Sequence, residues 1–358
     1  MKRAQPSARS AAFEALLRWE KSGAFADSIV EQRIRPALQG PDADLAVEIF
    51  YGAIRWRARL DFLIDHSTFQ IKDLPLRCLL RCGLYQLLFL DRVPEYAAVN
   101  ETVALAPAGL RSLANAFLRS FLRERKDWLR RLEACRVEKP DVFHSHPAWL
   151  IRRWERAFGE DRTRRLLDWN NGIASVFVRT NTLKCAPEDL KLALREHGPK
   201  AAAHPLALQI ESPGGLFSTR AYRDGWFYAQ DPSTLKAVDL LDPQPGESVL
   251  DPCAAPGGKI TYICQRMDNR GRIVAGDVDP DRLRLVDENM NRLGCSSIET
   301  VRMNALLKTA ENFDRILLDV PCSNTGVVRR RGDVRWRIRR EEIPALAREL
   351  LAIGLRFA

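Results

Sequence analysis

The sequence predicts a multidomain protein with an all-α N-terminal domain, followed by a small α/β module and a parallel α/β domain. The 358 residues correspond to two or three domains of about 150 residues each. Apolar residues recur at helical period up to about residue 130, whereas a strand–glycine loop–helix pattern begins after residue 243. The mix of 46% hydrophobic and 28% charged residues excludes a disordered chain. The longest charge-free apolar run is about half of the roughly 20 residues that a membrane span needs.

The first domain is predicted to cover residues 5–130 and to be entirely helical. Leu113, Phe117 and Phe121 recur every four residues and define one apolar helix face. Residues 79–90 are apolar nearly all round, which is typical of the central helix of a bundle. Because no alternating pattern appears in this region, we predict a compact helical bundle.

Residues 131–229 are predicted to form a helical linker followed by a small α/β module. The linker is rich in arginine, including Arg152 and Arg153, and aromatic residues lie among the arginines. This pattern suits RNA phosphates and stacked bases, and it equally suits a solvated arginine face over an aromatic core. A helix is predicted from Pro187. The predicted strands of the module are residues 175–180, 206–211, 215–219 and 226–229.

Residues 230–358 are predicted to form the parallel α/β domain. Helical stretches separate four strand candidates, at residues 248–252, 272–278, 298–302 and 313–320. In such a sheet, ligands bind at the carboxyl ends of the strands. The candidate site residues are therefore those that follow the strands.

Net charge and cysteine spacing restrict the partners. The 56 Lys and Arg against 46 Asp and Glu give a net charge of +10, which favours nucleic acid over an acidic membrane surface or a merely solvated surface. None of the eight cysteines forms a Cys-x-x-Cys pair and the histidines are scattered, so no metal site is predicted. The N-terminus carries no apolar signal core, and we expect a cytoplasmic protein with reduced thiols.

A loop of small residues follows the first strand of the last domain and opens a helix, with the sequence Asp251-Pro252-Cys253-Ala254-Ala255-Pro256-Gly257-Gly258-Lys259. Small residues allow a ligand to approach closely, and a helix N-terminus offers N–H groups to an anion. Asp277 ends the second strand, where an acid bonds ribose hydroxyls in nucleotide-binding folds. Helix capping is the alternative, and Asp279 before Pro280 suits that role. The loop does not fit G-x-G-x-x-G, which favours an adenosyl cofactor other than nicotinamide.

The segment after the fourth strand combines an acid and a thiol, in Asp319-Val320-Pro321-Cys322-Ser323-Asn324-Thr325-Gly326. These groups at this edge indicate covalent or proton-transfer chemistry, and a buried structural cysteine is the alternative. An arginine cluster follows, and a polyanion at this edge would meet it. We predict Cys322 and Asp319 as catalytic residues. The predicted RNA-binding residues are Arg329, Arg330, Arg331, Arg152 and Arg153.

These segments, in this order, resemble the RsmB (Sun, Fmu) family of ribosomal RNA cytosine-C5 methyltransferases over nearly the whole chain. The loop from Asp251 to Lys259 is similar to the family's methionine- and adenosine-binding loop, and Asp319 followed by Pro321-Cys322 is similar to its motif IV. The first domain resembles the NusB-like RNA-binding domain at Tyr51-Gly52, Gly83-Leu84-Tyr85-Gln86-Leu87, Ala97-Ala98-Val99-Asn100-Glu101 and Asn115-Ala116-Phe117-Leu118-Arg119.

The resemblance implies a Rossmann-like methyltransferase domain with S-adenosyl-L-methionine as its cofactor. It also implies that the partner is small-subunit ribosomal RNA, that the protein does not bind membranes, and that it is a monomer. In this family a thiolate attacks cytosine C6, C5 accepts the methyl group, and an elimination frees the enzyme. Cys322 matches the cysteine that assists release, and Asp319 would orient the cytosine. The implied cofactor-binding residues are Cys253, Ala254, Ala255, Pro256, Gly257, Gly258, Lys259, Asp277, Asn304 and Asp319.

The chain departs from the family at three places. Ile260 follows Lys259 where the family usually has threonine, and Asn304 stands where the family has an acid that contacts adenine. The third departure is that the sequence ends at Ala358, before the fifth strand and the Thr-Cys motif that carries the family's nucleophile. By this resemblance, we interpret the methyltransferase domain at residues 230–358 as incomplete at its C-terminus and the chain as a truncated product or fragment, competent in catalysis only if the missing part exists elsewhere.

Two alternatives to this interpretation stay open. A non-catalytic RNA-binding protein of the NusB-like type would use the helical domain and the arginines alone. Alternatively, Cys322 itself would be the nucleophile, as the Pro-Cys cysteine is in DNA cytosine methyltransferases.

Overall fold

The computed structural model describes residues 6–305 and 312–357. The chain divides into two units. The first contains the residues up to Ile173 together with Asn324–Arg340, and the second contains Ala174–Ser323 and the residues from Glu341 onward. Gln5 and Ala358, the outer limits of the predicted domains, lie outside the described residues. The domain boundaries after residues 130 and 229 stay predictions.

The N-terminal part of the first unit, which ends at Ile173, is helical, as the apolar periodicity predicts. Short turns of other helical types lie at Val30–Ile34 and Ala108–Leu110. The α-helices are α1 (Ala8–Ser22), α2 (Ala26–Ile29), α3 (Gly40–Arg55), α4 (Arg57–Asp65), α5 (Leu74–Phe89), α6 (Glu95–Leu105), α7 (Arg111–Arg123), α8 (Arg125–Glu138), α9 (Pro140–Phe143), α10 (Ala148–Phe158) and α11 (Glu160–Asn171).

Helix α5 lies in the centre of the first unit, and its residues 78–87 are all buried, which confirms the prediction of a central helix there. The side chain of Asp73 caps it by accepting the N–H of Leu76 at 2.8 Å. Gly52 on α3 allows a close helix approach, because a Cβ at this position would lie 1.9 Å from the Tyr85 ring. Phe117 and Phe121 on α7 are buried as predicted.

The second unit begins with a four-stranded antiparallel sheet. Its elements are β1 (Val176–Thr180), α12 (Pro187–Ala193), β2 (Pro199–Ala201), β3 (Ala207–Ile210), α13 (Arg220–Arg223) and β4 (Phe227–Ala229). The strand order is β2-β3-β1-β4. Val178, Leu208 and Phe227 are fully or nearly fully buried beneath the sheet.

A parallel sheet with crossover helices follows. Its elements are α14 (Pro232–Leu241), β5 (Ser248–Asp251), α15 (Gly258–Arg266), β6 (Arg272–Asp277), α16 (Pro280–Leu293), β7 (Ile298–Arg302) and β8 (Arg315–Ile316). The strand order is β7-β6-β5-β8. Val249 pairs with both Ile273 and Arg315, so the carboxyl ends of β5, β6 and β8 meet at one edge, as predicted.

Two strand predictions need correction, and one strand was missed. Residues 215–219 do not form a strand: Gly215 adopts a left-handed φ of +71° and a 3-10 turn follows at Leu216–Ser218. The strand predicted at residues 313–320 is reduced to the two residues of β8, since only Val249 and Leu250 pair with it. Strand β2 was missed because three residues that begin with proline show no alternating pattern.

The arginine-rich segment Asn324–Arg340 belongs to the first unit, not to the parallel sheet that precedes it in sequence. It contains α17 (Val334–Arg337), and α18 (Ile343–Phe357) follows it in the second unit. Among the described residues, no helix combines the length and apolar character that a bilayer crossing requires.

Candidate functional site

The loop between β5 and α15 is a compact turn of small residues. Its Ala254 N–H donates to the Gly276 carbonyl at the end of β6, and the Gly257 N–H donates to Ala254, both at 2.8 Å. Gly257 stands before α15 with a φ of +105°, a conformation that L side chains rarely adopt. Gly276 must also be small, because a Cβ there would lie 2.9 Å from the Met303 sulfur. The small residues therefore allow the two strand ends to approach.

Asp277 is a buried carboxylate at the end of β6. One oxygen accepts the N–H of Asp279 at 3.1 Å, and the other lies 3.1 Å from the Arg282 guanidinium. Arg282 also donates to the Ala255 carbonyl at 2.8 Å, so it joins the acid to the loop. Asp279 caps α16 by accepting the N–H of Asp281, so the predicted capping role falls to Asp279 and leaves Asp277 at the strand end.

Asp251, at the end of β5, is a second buried carboxylate that the sequence analysis did not single out. Burial raises its pKa to about 7, against the effect of a hydrogen bond from the Cys253 N–H. The negative charges of Asp319 and Asp277 also raise this pKa, whereas Lys259 lowers it. The four charged groups therefore form one electrostatic cluster at the edge of the sheet.

The predicted catalytic residues follow β8. Lys259, from the first turn of α15, forms an ion pair with Asp319. Cys322 lies three residues further on and its side chain is exposed, which contradicts the alternative of a buried structural cysteine. Burial raises the pKa of the Cys253 thiol to about 11, so this cysteine is protonated and unreactive at neutral pH.

Asn304 lies in the coil after β7. The backbone N–H of its neighbour Met303 donates to the Asp277 carbonyl at 3.0 Å, which brings the end of β7 to the same edge. The Asn304 side chain is exposed. The structure thus brings together the loop from Cys253 to Lys259, Asp277, Asn304 and Asp319.

Arg179 supports this edge from β1, and the sequence analysis missed it. Its guanidinium donates to the Gly258 carbonyl at 2.7 Å, to the Thr261 hydroxyl at 3.0 Å and to Gln230. The side chain is 1% exposed, and burial lowers its pKa to about 10. The signal in the sequence that could have identified Arg179 was the presence of an arginine inside a predicted strand of mostly apolar residues. Arg282 also had a signal, since the helix dipole disfavours a cation in the first turn of a helix.

The predicted RNA-binding arginines lie in the first unit. Arg152 and Arg153 are exposed on α10. Arg329 stacks over the Trp169 ring, with 3.8 Å between guanidinium carbon and ring centroid, and donates to the Ile173 carbonyl. The RNA-binding role of these residues stays a prediction.

The other two members of this set differ in their surroundings. Arg331 forms an ion pair with Asp27 at 3.2 Å, and both side chains are about half exposed. Arg330 is exposed. At least one arginine of this set, Arg331, is therefore already paired with a carboxylate of the protein itself.

Comparison with protein families matches three segments of the chain. Residues 238–355 match the family described as 16S rRNA methyltransferase RsmB/F. Residues 6–123 match the NusB family. Residues 146–216 match the ferredoxin-like domain of RsmF/B-like methyltransferases. These matches confirm the predicted fold class of a NusB-like helical domain, a small α/β module and a methyltransferase domain.

Two curated relatives are ribosomal RNA small subunit methyltransferases B, from Shigella boydii and Escherichia coli. Each is 34% identical to the chain over 345 residues, which span 90% of this chain and 78% of the relative. The predicted family resemblance is confirmed.

Solved structures show the same architecture. The protein PH0851 superposes with a TM-score of 0.77 at 25% identity, over 98% of this chain and 83% of its own. A methyltransferase homolog from Pyrococcus horikoshii gives a TM-score of 0.50 at 30% identity, over 60% of this chain and 70% of its own. NSun6 from Pyrococcus horikoshii, solved with SFG, gives 0.54 at 22% identity, over 59% of this chain and 79% of its own, and supports the fold alone.

Proposed function

Because the chain belongs to the RsmB/F family of 16S ribosomal RNA methyltransferases, we propose that it methylates C5 of cytosine in small-subunit ribosomal RNA. The observation that carries this proposal is the cluster at the carboxyl edge of the parallel sheet. There the loop before α15, Asp277 and the Lys259–Asp319 pair meet. We propose further that the protein acts as a monomer in the cytoplasm.

The residues at this edge fit S-adenosylmethionine, the cofactor of the family. Gly257 and Gly258 have no side chain at the start of α15, so the first N–H groups of this helix would be open to the methionine carboxylate of the cofactor. The Asp277 carboxylate stands at the strand end where ribose hydroxyls are bound in folds of this type. When bound, S-adenosylmethionine supplies a methyl group that its sulfonium makes electrophilic.

Asp319 and Cys322 are the residues we assign to the cytosine. Lys259 holds the Asp319 carboxylate by an ion pair, so that this acid can orient the base. In the family's mechanism, cytosine C5 becomes nucleophilic when a thiolate adds to C6, and after methylation a base takes the C5 proton while the C6–S bond breaks and restores the thiolate. The Thr-Cys motif that carries the family's nucleophile has no counterpart in this sequence. Cys322 is exposed, as a residue that contacts the base must be. By the family resemblance it assists the release step.

Methyl transfer to undermodified small-subunit ribosomal RNA tests this function. The protein is incubated with the RNA and methyl-labelled S-adenosylmethionine, and the digested nucleosides are identified by mass spectrometry. The proposal predicts label in 5-methylcytidine. Label at N4, at a ribose 2′-hydroxyl or in another base would contradict it.

The non-catalytic alternative predicts a different result in the same experiment. A NusB-like RNA-binding protein would retain the RNA and transfer no methyl group. The role of Cys322 is tested by Cys322→Ala. If this cysteine assists release, the variant accumulates a covalent RNA adduct that the wild type resolves, whereas loss of the methyl transfer seen in the wild type without any adduct would assign Cys322 as the nucleophile.

A further inference from the structure

Helix α10 has two chemically different faces. Its residues Leu150, Ile151 and Trp154 are buried and form a small core with Leu167 of α11. The opposite face carries one aromatic and three basic residues at positions 149, 152, 153 and 156, spacings that place them in one stripe along a helix. The buried face fixes the orientation of the helix, so the basic stripe is held outward.

This stripe forms one wall of a pocket of about 380 Å³. We call it the arginine pocket, and its lining residues are Trp149, Arg152, Arg153, Arg156, Ala157 and Arg340. Four of these six residues are cationic, and the lining contains no carboxylate. All six belong to the first unit. The site at the edge of the parallel sheet belongs to the second.

The four arginines are not neutralised within the described part of the chain. Over residues 6–305 and 312–357, none of Arg152, Arg153, Arg156 and Arg340 forms an ion pair. Arg164 on the next helix differs, because it pairs with Glu160 at 3.4 Å. Like charges that converge on a concave surface repel one another unless an anion lies between them. The pocket is therefore electrostatically complementary to a polyanion.

Arg340 enters the pocket because the segment Asn324–Arg340 is anchored to the helical unit. The guanidinium of Arg335 is fully buried and donates to the Ser145 carbonyl at 3.0 Å and to the Asn171 side chain at 2.8 Å. Asp333 accepts the N–H of Ala26 at 3.1 Å. In the sequence, this segment begins two residues after the predicted catalytic residue Cys322. Its last residue, Arg340, lines the pocket.

From this geometry we infer that the arginine pocket binds backbone phosphates of the substrate RNA. The guanidinium fork matches a phosphate group bidentately, and the half-buried Trp149 ring offers a surface for a base or for a guanidinium. A concave pocket admits a flexible nucleic-acid strand better than it admits the flat surface of a membrane. The inference rests on the proposed function, since it takes ribosomal RNA as the substrate.

The test measures RNA affinity as a function of salt concentration. Binding of the full chain to an undermodified small-subunit ribosomal RNA fragment is followed by fluorescence anisotropy between 50 and 300 mM KCl. The variant Arg152→Gln/Arg156→Gln removes two pocket charges. Two lost phosphate contacts lower the slope of log affinity against log salt by about 1.4 and the affinity at 150 mM by about tenfold.

A matched control keeps the experiment specific to the pocket. Arg162→Gln/Arg165→Gln removes two exposed arginines from the neighbouring helix α11, and we expect its affinity to stay within twofold of the wild type. A single variant, Arg340→Gln, is expected to lower the slope by about 0.7, as one phosphate contact requires. The inference would be overturned if the pocket double variant and the control double variant lost RNA affinity equally, or if the pocket double variant lost none.

Two further readouts separate this inference from the proposed function. S-adenosylmethionine affinity, measured by calorimetry, is expected to be unchanged in the pocket variants. Methylation of another atom by the wild type would contradict the proposed function while leaving the salt dependence of the pocket intact. If the pocket pair lost affinity for anionic vesicles but kept its affinity for RNA, the pocket would be a membrane site and the inference would be wrong.

Discussion

The carboxyl edge of the parallel sheet and the segment Asn324–Arg340 both concentrate charged residues, but they use them differently. At the edge, acids are matched by cations, as in the Asp277–Arg282 and Lys259–Asp319 pairs. In the segment, Arg335 instead donates to backbone carbonyls and an amide of the helical unit. The first arrangement holds carboxylates where a ligand approaches, and the second anchors one part of the chain to another.

Each of the two regions also contains a buried arginine that acts as a structural anchor. Arg179 supports the loop before α15 through the Gly258 carbonyl, and Arg335 supports the segment through Ser145. Burial lowers the pKa of Arg179 to about 10 and that of Arg335 to about 9. A run of arginines in a sequence is thus a mixture of structural anchors and ligand-binding residues, and burial separates the two kinds.

The largest effect is expected from Arg335→Ala in the segment. Truncation leaves two buried carbonyl acceptors, on Ser145 and Asn170, and a partly buried one on the Asn171 side chain without their donor, and it leaves a cavity. We expect the free energy of unfolding to fall by roughly 5 kcal/mol, from about 1–3 kcal/mol per unsatisfied group. Urea denaturation followed by circular dichroism measures it.

The control for this prediction is Arg33→Ala. Arg33 is exposed and belongs to the same unit, so its truncation is expected to change stability by less than about 0.5 kcal/mol. If Arg335→Ala were no more destabilising than Arg33→Ala, the segment would not be an anchored part of the helical unit.

A smaller, pH-dependent effect is expected from Asp251→Asn at the edge of the sheet. The folded pKa of about 7 lies above the ordinary aspartate value of 3.8, so the wild type is stabilised in its protonated form and loses stability as pH rises from about 4 to 7. Asparagine does not titrate. The variant should match the wild type near pH 4 and exceed it at pH 8 by up to about 4 kcal/mol.

Urea denaturation of both proteins at several pH values checks this prediction, and Asp281→Asn serves as a control because Asp281 is exposed. A difference between wild type and Asp251→Asn that is the same at pH 4 and pH 8 would show that Asp251 is not held in an unfavourable charged state.

The smallest effect is expected from Arg331→Met in the segment. Its ion pair with Asp27 is about half exposed on both sides, and such pairs contribute about 0–1 kcal/mol. Thermal unfolding in low and high salt measures this contribution, which salt should reduce further. A loss comparable with that of Arg335→Ala would contradict the division between anchoring and surface arginines.

The sequence predicted the features that depend on neighbouring residues. The loop before α15, the acid that ends β6 and the cap at Asp279 all lie where strand, turn and helix signals place them. These features follow from local backbone geometry, which a short window of sequence contains. The same holds for the central helix α5, whose apolar residues show its burial directly.

The sequence did not predict features whose partners lie far away along the chain. Arg179 and Gly258 are 79 residues apart, and Arg335 and Ser145 are 190 residues apart. No periodicity reports such a contact, so the segment Asn324–Arg340 was interpreted as a surface for a polyanion. Arg340 in the arginine pocket is consistent with that interpretation, whereas the buried Arg335 is an anchor.

The central claim is that the edge of the parallel sheet binds S-adenosylmethionine through Asp277. Calorimetric titration of the cofactor into wild type, Asp277→Ala and Asp281→Ala tests it most directly, because the two acids lie four residues apart and only Asp277 is buried at the strand end. We expect Asp277→Ala to weaken binding at least tenfold, whereas the affinity of Asp281→Ala stays within twofold of that of the wild type. Equal affinities in all three proteins, with the fold intact by circular dichroism, would contradict it.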